Sequence, residues 1–194
     1  MSEGPRYCAY FCEENIWHLC ADPGVREAER HALIITNPGR RVAVWGQRLA
    51  KDPSLPIAWD YHVVLLYRLP ERGWKVWDLD GLREGPRPAR SWLDDSFRGQ
   101  GVIPDAFLPR FRLVASADYR RHLCSDRRHM RAADGTELQP HPPWPPIAGE
   151  PVDGAAADEG VHNLDRFLDT EDLSFVGEVF DLDQLRAWLA NSGA

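Results

Sequence analysis

A chain of 194 residues, 43% hydrophobic and 27% charged, fits one domain that can bury a full core without metal or disulfide staples, and its composition excludes a mainly disordered protein. The formal charge of −7 argues against general nucleic-acid binding, which needs a net basic face, whereas an acidic surface tolerates or attracts cationic peptides. No apolar run approaches the ~20 residues of a membrane span. Met1 to Arg6 carries no signal-peptide core, so the expectation is a cytoplasmic protein whose thiols stay reduced.

Taken in chain order, the apolar residues Ile16, Trp17, Leu19 and Cys20 recur at helical spacing, predicting a helix over 13–20 with Glu13 and Glu14 in its first turn. Ala32–Thr36 and Arg41–Trp45 flank the turn signal Asn37-Pro38-Gly39 and predict a hairpin. Trp59–Tyr67 and Trp74–Asp78 are strand-like runs separated by Pro70-Glu71-Arg72-Gly73. A turn centred near position 70 gives antiparallel partners a residue-number sum of about 140, so His62 would face Asp78 either directly, on one sheet face, or one residue out of register, on opposite faces, and the sequence does not fix which. Phe111–Ala115 reads as a further strand and Ala117–Leu123 as a short helix. Gln139–Pro146 carries five prolines and must be extended, pinned through Trp144. Pro151–Gly160 reads as a mobile loop. Phe180–Leu189 predicts a closing helix with Asp181 as N-cap.

Three residues carry the chemistry. Cys12 sits at the start of the first helix, where unpaired backbone N–H groups stabilise a thiolate and can hold an oxyanion. His62 lies in one strand-like run and Asp78 ends the next. A thiol nucleophile needs an imidazole to take its proton, and the imidazole needs an acceptor on its other nitrogen to fix the tautomer. Taken alone, Cys12 reads as a small buried hydrophobe, and Glu13 and Glu14 oppose its thiolate by like charge. His62 alone reads as a structural histidine. Together, three polar residues in apolar frames, two of them on one hairpin, favour thiol chemistry on an acyl group. His122 and Cys124 form a rival pair, poorly spaced to act on each other. Cys8, Cys12 and Cys20 with His18 match no common zinc spacing, so no metal is expected.

The segments Phe11-Cys12-Glu13-Glu14-Asn15-Ile16-Trp17, Trp59-Asp60-Tyr61-His62-Val63-Val64-Leu65-Leu66, Asp78-Leu79-Asp80 and Ser125-Asp126-Arg127-Arg128-His129-Met130, in this order, resemble the motifs of the protein N-terminal glutamine amidohydrolases. The proline-rich stretch after Gln139 and Asn163-Leu164-Asp165-Arg166-Phe167 fit the same pattern. The resemblance implies a monomeric, cofactor-free enzyme that converts the N-terminal glutamine of a protein or peptide to glutamate and releases ammonia, in eukaryotes feeding an N-degron pathway. It implies an α+β fold, a nucleophile-bearing N-terminal helix packed on an antiparallel sheet as in papain and transglutaminases, in one catalytic domain spanning 1–194. By motif, Cys12 is the nucleophile, His62 the base and Asp78 the orienter.

An enzyme restricted to chain ends must bind a free α-ammonium, which wants a carboxylate or several carbonyls in a partly dry pocket. Glu13, Glu14, Asp60 and Asp126 are the carboxylates whose positions suit that role. Two alternatives remain at this level: a transglutaminase-like acyltransferase using the same three residues, and a catalytically silent module that binds N-terminal peptides.

Overall fold

Ala32, Leu33, Ile34 and Ile35 are all buried, which a strand achieves only when both faces of its sheet are covered. They belong to β1 (Glu29–Thr36) in the computed structural model, which describes residues 4–26, 28–70, 72–99, 101–152 and 160–192. β1 pairs on one side with β4 (His62–Arg68) and on the other with β7 (Arg110–Ala115). Outward from β4 lie β5 (Trp74–Trp77) and β6 (Arg87–Pro88); beyond β7 lies β8 (Glu178–Phe180). The described sheet thus has six strands in the order β6-β5-β4-β1-β7-β8, and every pairing in it is antiparallel.

Alternation assigns the two faces. Ala32, Ile34, Val63, Leu65 and Val114 point to one side, where they meet Ile16 and Leu19 of α1 (Cys12–Leu19), Tyr119 of α3 (Ser116–His122), and Leu164, Phe167 and Leu168 of α4 (Leu164–Leu168). Leu33, Ile35, Val64, Leu66 and Val76 point to the other, against Trp92 and Leu93 of α2 (Ala89–Ser96) and Leu182, Leu185 and Leu189 of α5 (Leu182–Asn191). The result is an α+β fold with helices on both faces of an antiparallel sheet. α5 starts where Asp181 and Gln184 cap each other's backbone N–H groups.

Two sequence expectations need correction. The hairpin between Ala32–Thr36 and Arg41–Trp45 does not form: the chain turns at Asn37, but β2 (Val42–Val44) pairs with β3 (Ile57–Trp59) in a separate two-stranded sheet. Both edges of β1 are already taken by β4 and β7. The Asn37 side chain also ties the turn to the carbonyls of Arg41, Ala106 and Leu108, steering the chain off the sheet. The β4–β5 hairpin forms, but its partners sum to 142, as in Leu65 with Trp77. That register is two residues from the expected one. The loop expected at Pro151–Gly160 lies, over 153–159, outside the described residues.

Candidate active site

A turn in unusual backbone delivers Cys12. Tyr10 adopts φ 69°, a left-handed conformation that a bulky residue holds only when its surroundings fix it. Asn15, one turn into α1, fixes it: its side-chain amide accepts from Cys8 N–H and donates to Cys8 O, both at 2.8 Å. The helix then starts at Cys12, which is 6% exposed. The backbone N–H of Val63, at the start of β4, points at its sulfur.

His62 is the first residue of β4, so Cys12 sits against the peptide that follows it. The imidazole is fully buried, stacked on Trp59 at 5.4 Å, and bonded through Nε2 to Asp78 Oδ1 at 2.9 Å. Asp78 follows the last residue of β5. The two-residue shift makes it a diagonal rather than a direct neighbour of His62, and a shift of two keeps both on one sheet face. Asp78 Oδ2 accepts from Gln47 Nε2 at 3.0 Å and Trp92 Nε1 at 3.2 Å, and Oδ1 from the Asp80 N–H at 3.1 Å. Burial raises the cost of charging the Asp78 carboxyl, but the imidazole and these donors outweigh it and hold the group below its ordinary value. Burial likewise opposes charge on His62, yet Asp78 and Asp80 overcome it and raise the imidazole. Its other nitrogen, Nδ1, is buried and makes no hydrogen bond among the described residues.

The Cys12 thiol is pushed well above its ordinary value, first by burial and then by the charges of Glu13, Asp80 and Asp60, against the pull of the Val63 N–H. Glu13 is fully buried, with Oε2 3.9 Å from Cys12 Sγ and accepting the Tyr61 hydroxyl at 2.9 Å, and Oε1 3.3 Å from His129 Nε2. Glu14 is committed elsewhere: Arg127 grips both its oxygens at 2.8 Å and Trp144 Nε1 donates at 2.6 Å. Asp60 accepts from the N–H of Tyr61, and Asp126 pairs with Arg128 and faces His162 at 3.3 Å. Of the four carboxylates considered for an ammonium, Glu13 and Asp60 thus act on Cys12, while Glu14 and Asp126 lie in other ion pairs.

Gln47, Trp92, Tyr61 and His129 were not singled out from sequence, whereas Asp80 stood out as an aspartate in a strand-like frame. Gln47 and Trp92 hold Asp78, and Asp80, 2% exposed, accepts the Tyr7 hydroxyl at 2.5 Å beneath Arg48. Tyr61 and His129 stand in the motif segments, and their identity as polar residues inside those segments was the available signal. Gln47 and Trp92 had none, since they come from a loop and from a helix the sequence did not reveal. A cleft of about 300 Å³ lined by Tyr7, Arg48, Trp77, Asp78 and Leu79 adjoins this centre. A larger one of about 560 Å³, lined by Asn37, Arg41, Asp105, Arg110 and Asp181 among others, holds none of the three chemistry-bearing residues. Among the described residues no group of three or more His, Cys, Asp or Glu is arranged to hold a metal ion, and no helix is long and apolar enough to cross a membrane.

The family model described as N-terminal glutamine amidase matches residues 7–189. A protein N-terminal glutamine amidohydrolase of Drosophila mojavensis is 33% identical over 146 residues, 73% of this chain and 71% of that protein. Its counterpart in Drosophila ananassae is 31% identical over 145 residues, with the same shares. One from Arabidopsis thaliana is 30% identical over 171 residues, 84% of this chain and 74% of that protein. The match spans α1, which carries Cys12, and the β4–β5 hairpin, which brings His62 to Asp78, and the chain belongs to the N-terminal glutamine amidase family.

Proposed function

We propose that this protein hydrolyses the side-chain amide of an N-terminal glutamine, with Cys12 as nucleophile, His62 as proton carrier and Asp78 as the residue that orients it. The observation that carries the reading is the buried His62–Asp78 pair, whose remaining nitrogen is unbonded beside the strand peptide that faces the Cys12 sulfur. Asp78 on Nε2 selects the tautomer that leaves Nδ1 as an acceptor, the state needed to take the thiol proton. A nucleophile helix on one face of an antiparallel sheet, with His and Asp on neighbouring strands, supports a papain- or transglutaminase-like arrangement in one catalytic domain. The names of the relatives support proteins with N-terminal glutamine as the substrate class.

In this mechanism the Cys12 proton passes to His62 Nδ1, and sulfur attacks the amide carbon. First-turn N–H groups of α1, which lack helical acceptors, hold the oxyanion. The imidazolium protonates the departing ammonia and leaves a glutamyl thioester. A water deprotonated by His62 then releases glutamate and the thiol.

The test is ammonia release from a Gln-first peptide beside its N-acetylated form. Cys12→Ala should abolish release from the free peptide while the fold survives, since losing one buried sulfur costs about 1 kcal/mol. Retained activity in Cys12→Ala with loss in Cys124→Ala would overturn the assignment. Glutamate product without an amine adduct separates hydrolysis from acyl transfer.

A further inference from the structure

Reactive cysteines ordinarily sit in electropositive surroundings, next to Lys, Arg or His⁺. Cys12 sits in the opposite. The charged groups that act on it most strongly are Glu13, Asp80 and Asp60, all negative. Glu13 is closest, 3.9 Å from sulfur, fully buried, and held there by the Tyr61 hydroxyl on the same carboxylate oxygen. Tyr61 and Tyr119 close around it, bonded to its carboxylate and its carbonyl, and His129 Nε2 lies 3.3 Å from its other carboxylate oxygen. Asp80 is likewise buried, with Tyr7 on its carboxylate and Arg48 stacked on the far side of that ring. In a dry site unit charges a few ångströms apart interact strongly, so this arrangement opposes the thiolate on which the chemistry depends.

The substrate class brings what the site lacks. An N-terminal residue carries an α-ammonium within one side-chain length of the amide to be cut. Resting on the Cys12–His62 reading above, we infer that the substrate's α-ammonium is an activator as well as a handle: Glu13, helped by Asp60 and Asp80, holds Cys12 protonated in the free enzyme, and the arriving cation offsets that negative charge so that the proton moves from Sγ to Nδ1 of His62. The S–H bond breaks, an N–H bond forms, and the resulting thiolate and imidazolium add no net charge. A glutamine without the free amine then fails because the nucleophile is never switched on, even when its side chain reaches the pocket. Glu13 is on this account a positioning residue that sets the protonation of Cys12. The resting enzyme is also protected, since a thiol is far less open than a thiolate to oxidation and alkylation.

Two measurements on the intact enzyme test this. The first is the rate of Cys12 alkylation by iodoacetamide against pH, with Cys12→Ala as the blank. In the wild type the rate should climb only in alkaline solution. In Glu13→Gln the profile should move to lower pH and the rate at pH 7 rise by about tenfold or more, the effect of lowering a thiol by one unit. The second uses a substrate whose α-amino group is replaced by hydrogen, a 4-carbamoylbutanoyl peptide. The wild type should release little ammonia from it, and added methylammonium should raise kcat by about tenfold or more where equal potassium chloride does not. Superimposable alkylation profiles for wild type and Glu13→Gln overturn the inference. So does a wild-type thiol that is fully reactive at pH 6. If Glu13→Gln does not fold, the methylammonium arm decides, and no stimulation overturns it. Failure of the underlying reading is distinct: the wild type would release no ammonia from Gln-first peptides, whatever its alkylation profile.

Discussion

The imidazole of His62 has one nitrogen committed to Asp78 and one left for chemistry, and that division sets the pH behaviour of the centre. To accept the thiol proton His62 must be neutral, and Asp78 raises it above its ordinary 6.5. The acid limb of kcat/KM should therefore lie above pH 6.5, with activity falling as pH drops through the raised value. Asp78→Asn removes the anion and leaves burial, which lowers the imidazole, so the limb should move to lower pH. The same variant should lose roughly two to four orders of magnitude in kcat, because the amide can favour the wrong tautomer, with little change in KM. An acid limb unmoved in Asp78→Asn would show that the carboxylate does not set the state of His62. The sequence made this pair legible through parity: residues an even number of positions out of register share a face, so the two-residue error in the hairpin sum was harmless where an error of one would not have been. The ring of carboxylates around Cys12 was only half legible. Glu13 and Glu14 are adjacent in sequence, yet one lies on Cys12 and the other on Arg127, a division that depends on the helix turn and on a segment more than a hundred residues away.

Glu14 joins elements far apart in the sequence, beside the ring contacts of Phe11 with His141 and of His18 with Trp144. Its carboxylate ties the first turn of α1 to Arg127, itself at φ 65°, and to Trp144 of the proline-rich segment, whose carbonyl also accepts from Arg127 at 2.8 Å. The clamp is nearly dry, with the Glu14 side chain fully buried and that of Arg127 6% exposed. Removing one partner leaves a buried charge unpaired, so Arg127→Met should cost about 3–5 kcal/mol in urea unfolding. Replacing both, Glu14→Gln with Arg127→Met, should recover a good part of that loss. If the double variant were as unstable as the sum of the singles, the ion pair would not be the clamp. At this scale the sequence was readable wherever a pattern is local: α1, β5, β7, α3 and the capped α5 all appear within one or two residues of expectation, whereas the run expected over Trp59–Tyr67 is divided between β3, which ends at Trp59, and β4, which starts at His62. It failed where pairing is decided by competition. The Asn37-Pro38-Gly39 turn is real, but whether β2 joins β1 depends on strands that arrive later in the chain. The two-residue β6 and three-residue β3 and β8 are too short to carry a period, and α2 follows a Gly- and Pro-rich stretch that reads as loop.

Across the whole molecule the histidines pull stability in opposite directions. His18, His31 and His162 are lowered, mainly by burial, so the folded chain keeps them neutral where the unfolded chain would be protonated. Such groups contribute stability above their unfolded value near 6.5 that is lost as pH falls through the folded value. His62 is raised, so its contribution is present below 6.5 and is lost as pH climbs through its folded value. If the three lowered histidines together outweigh His62, unfolding takes up protons between pH 7 and 5 and the midpoint of thermal unfolding falls over that interval. His18 and His31 are partly open to water, which screens them, so the fall should be modest there. Below pH 4 it should steepen, as Asp78, held low by His62, Gln47 and Trp92, is protonated inside the core. Differential scanning calorimetry across pH 3.5 to 8 checks both parts. A midpoint that rose on acidification from pH 7 to 5 would mean that His62 dominates the other three, and would place the greatest stability of this fold below the pH at which His62 is neutral.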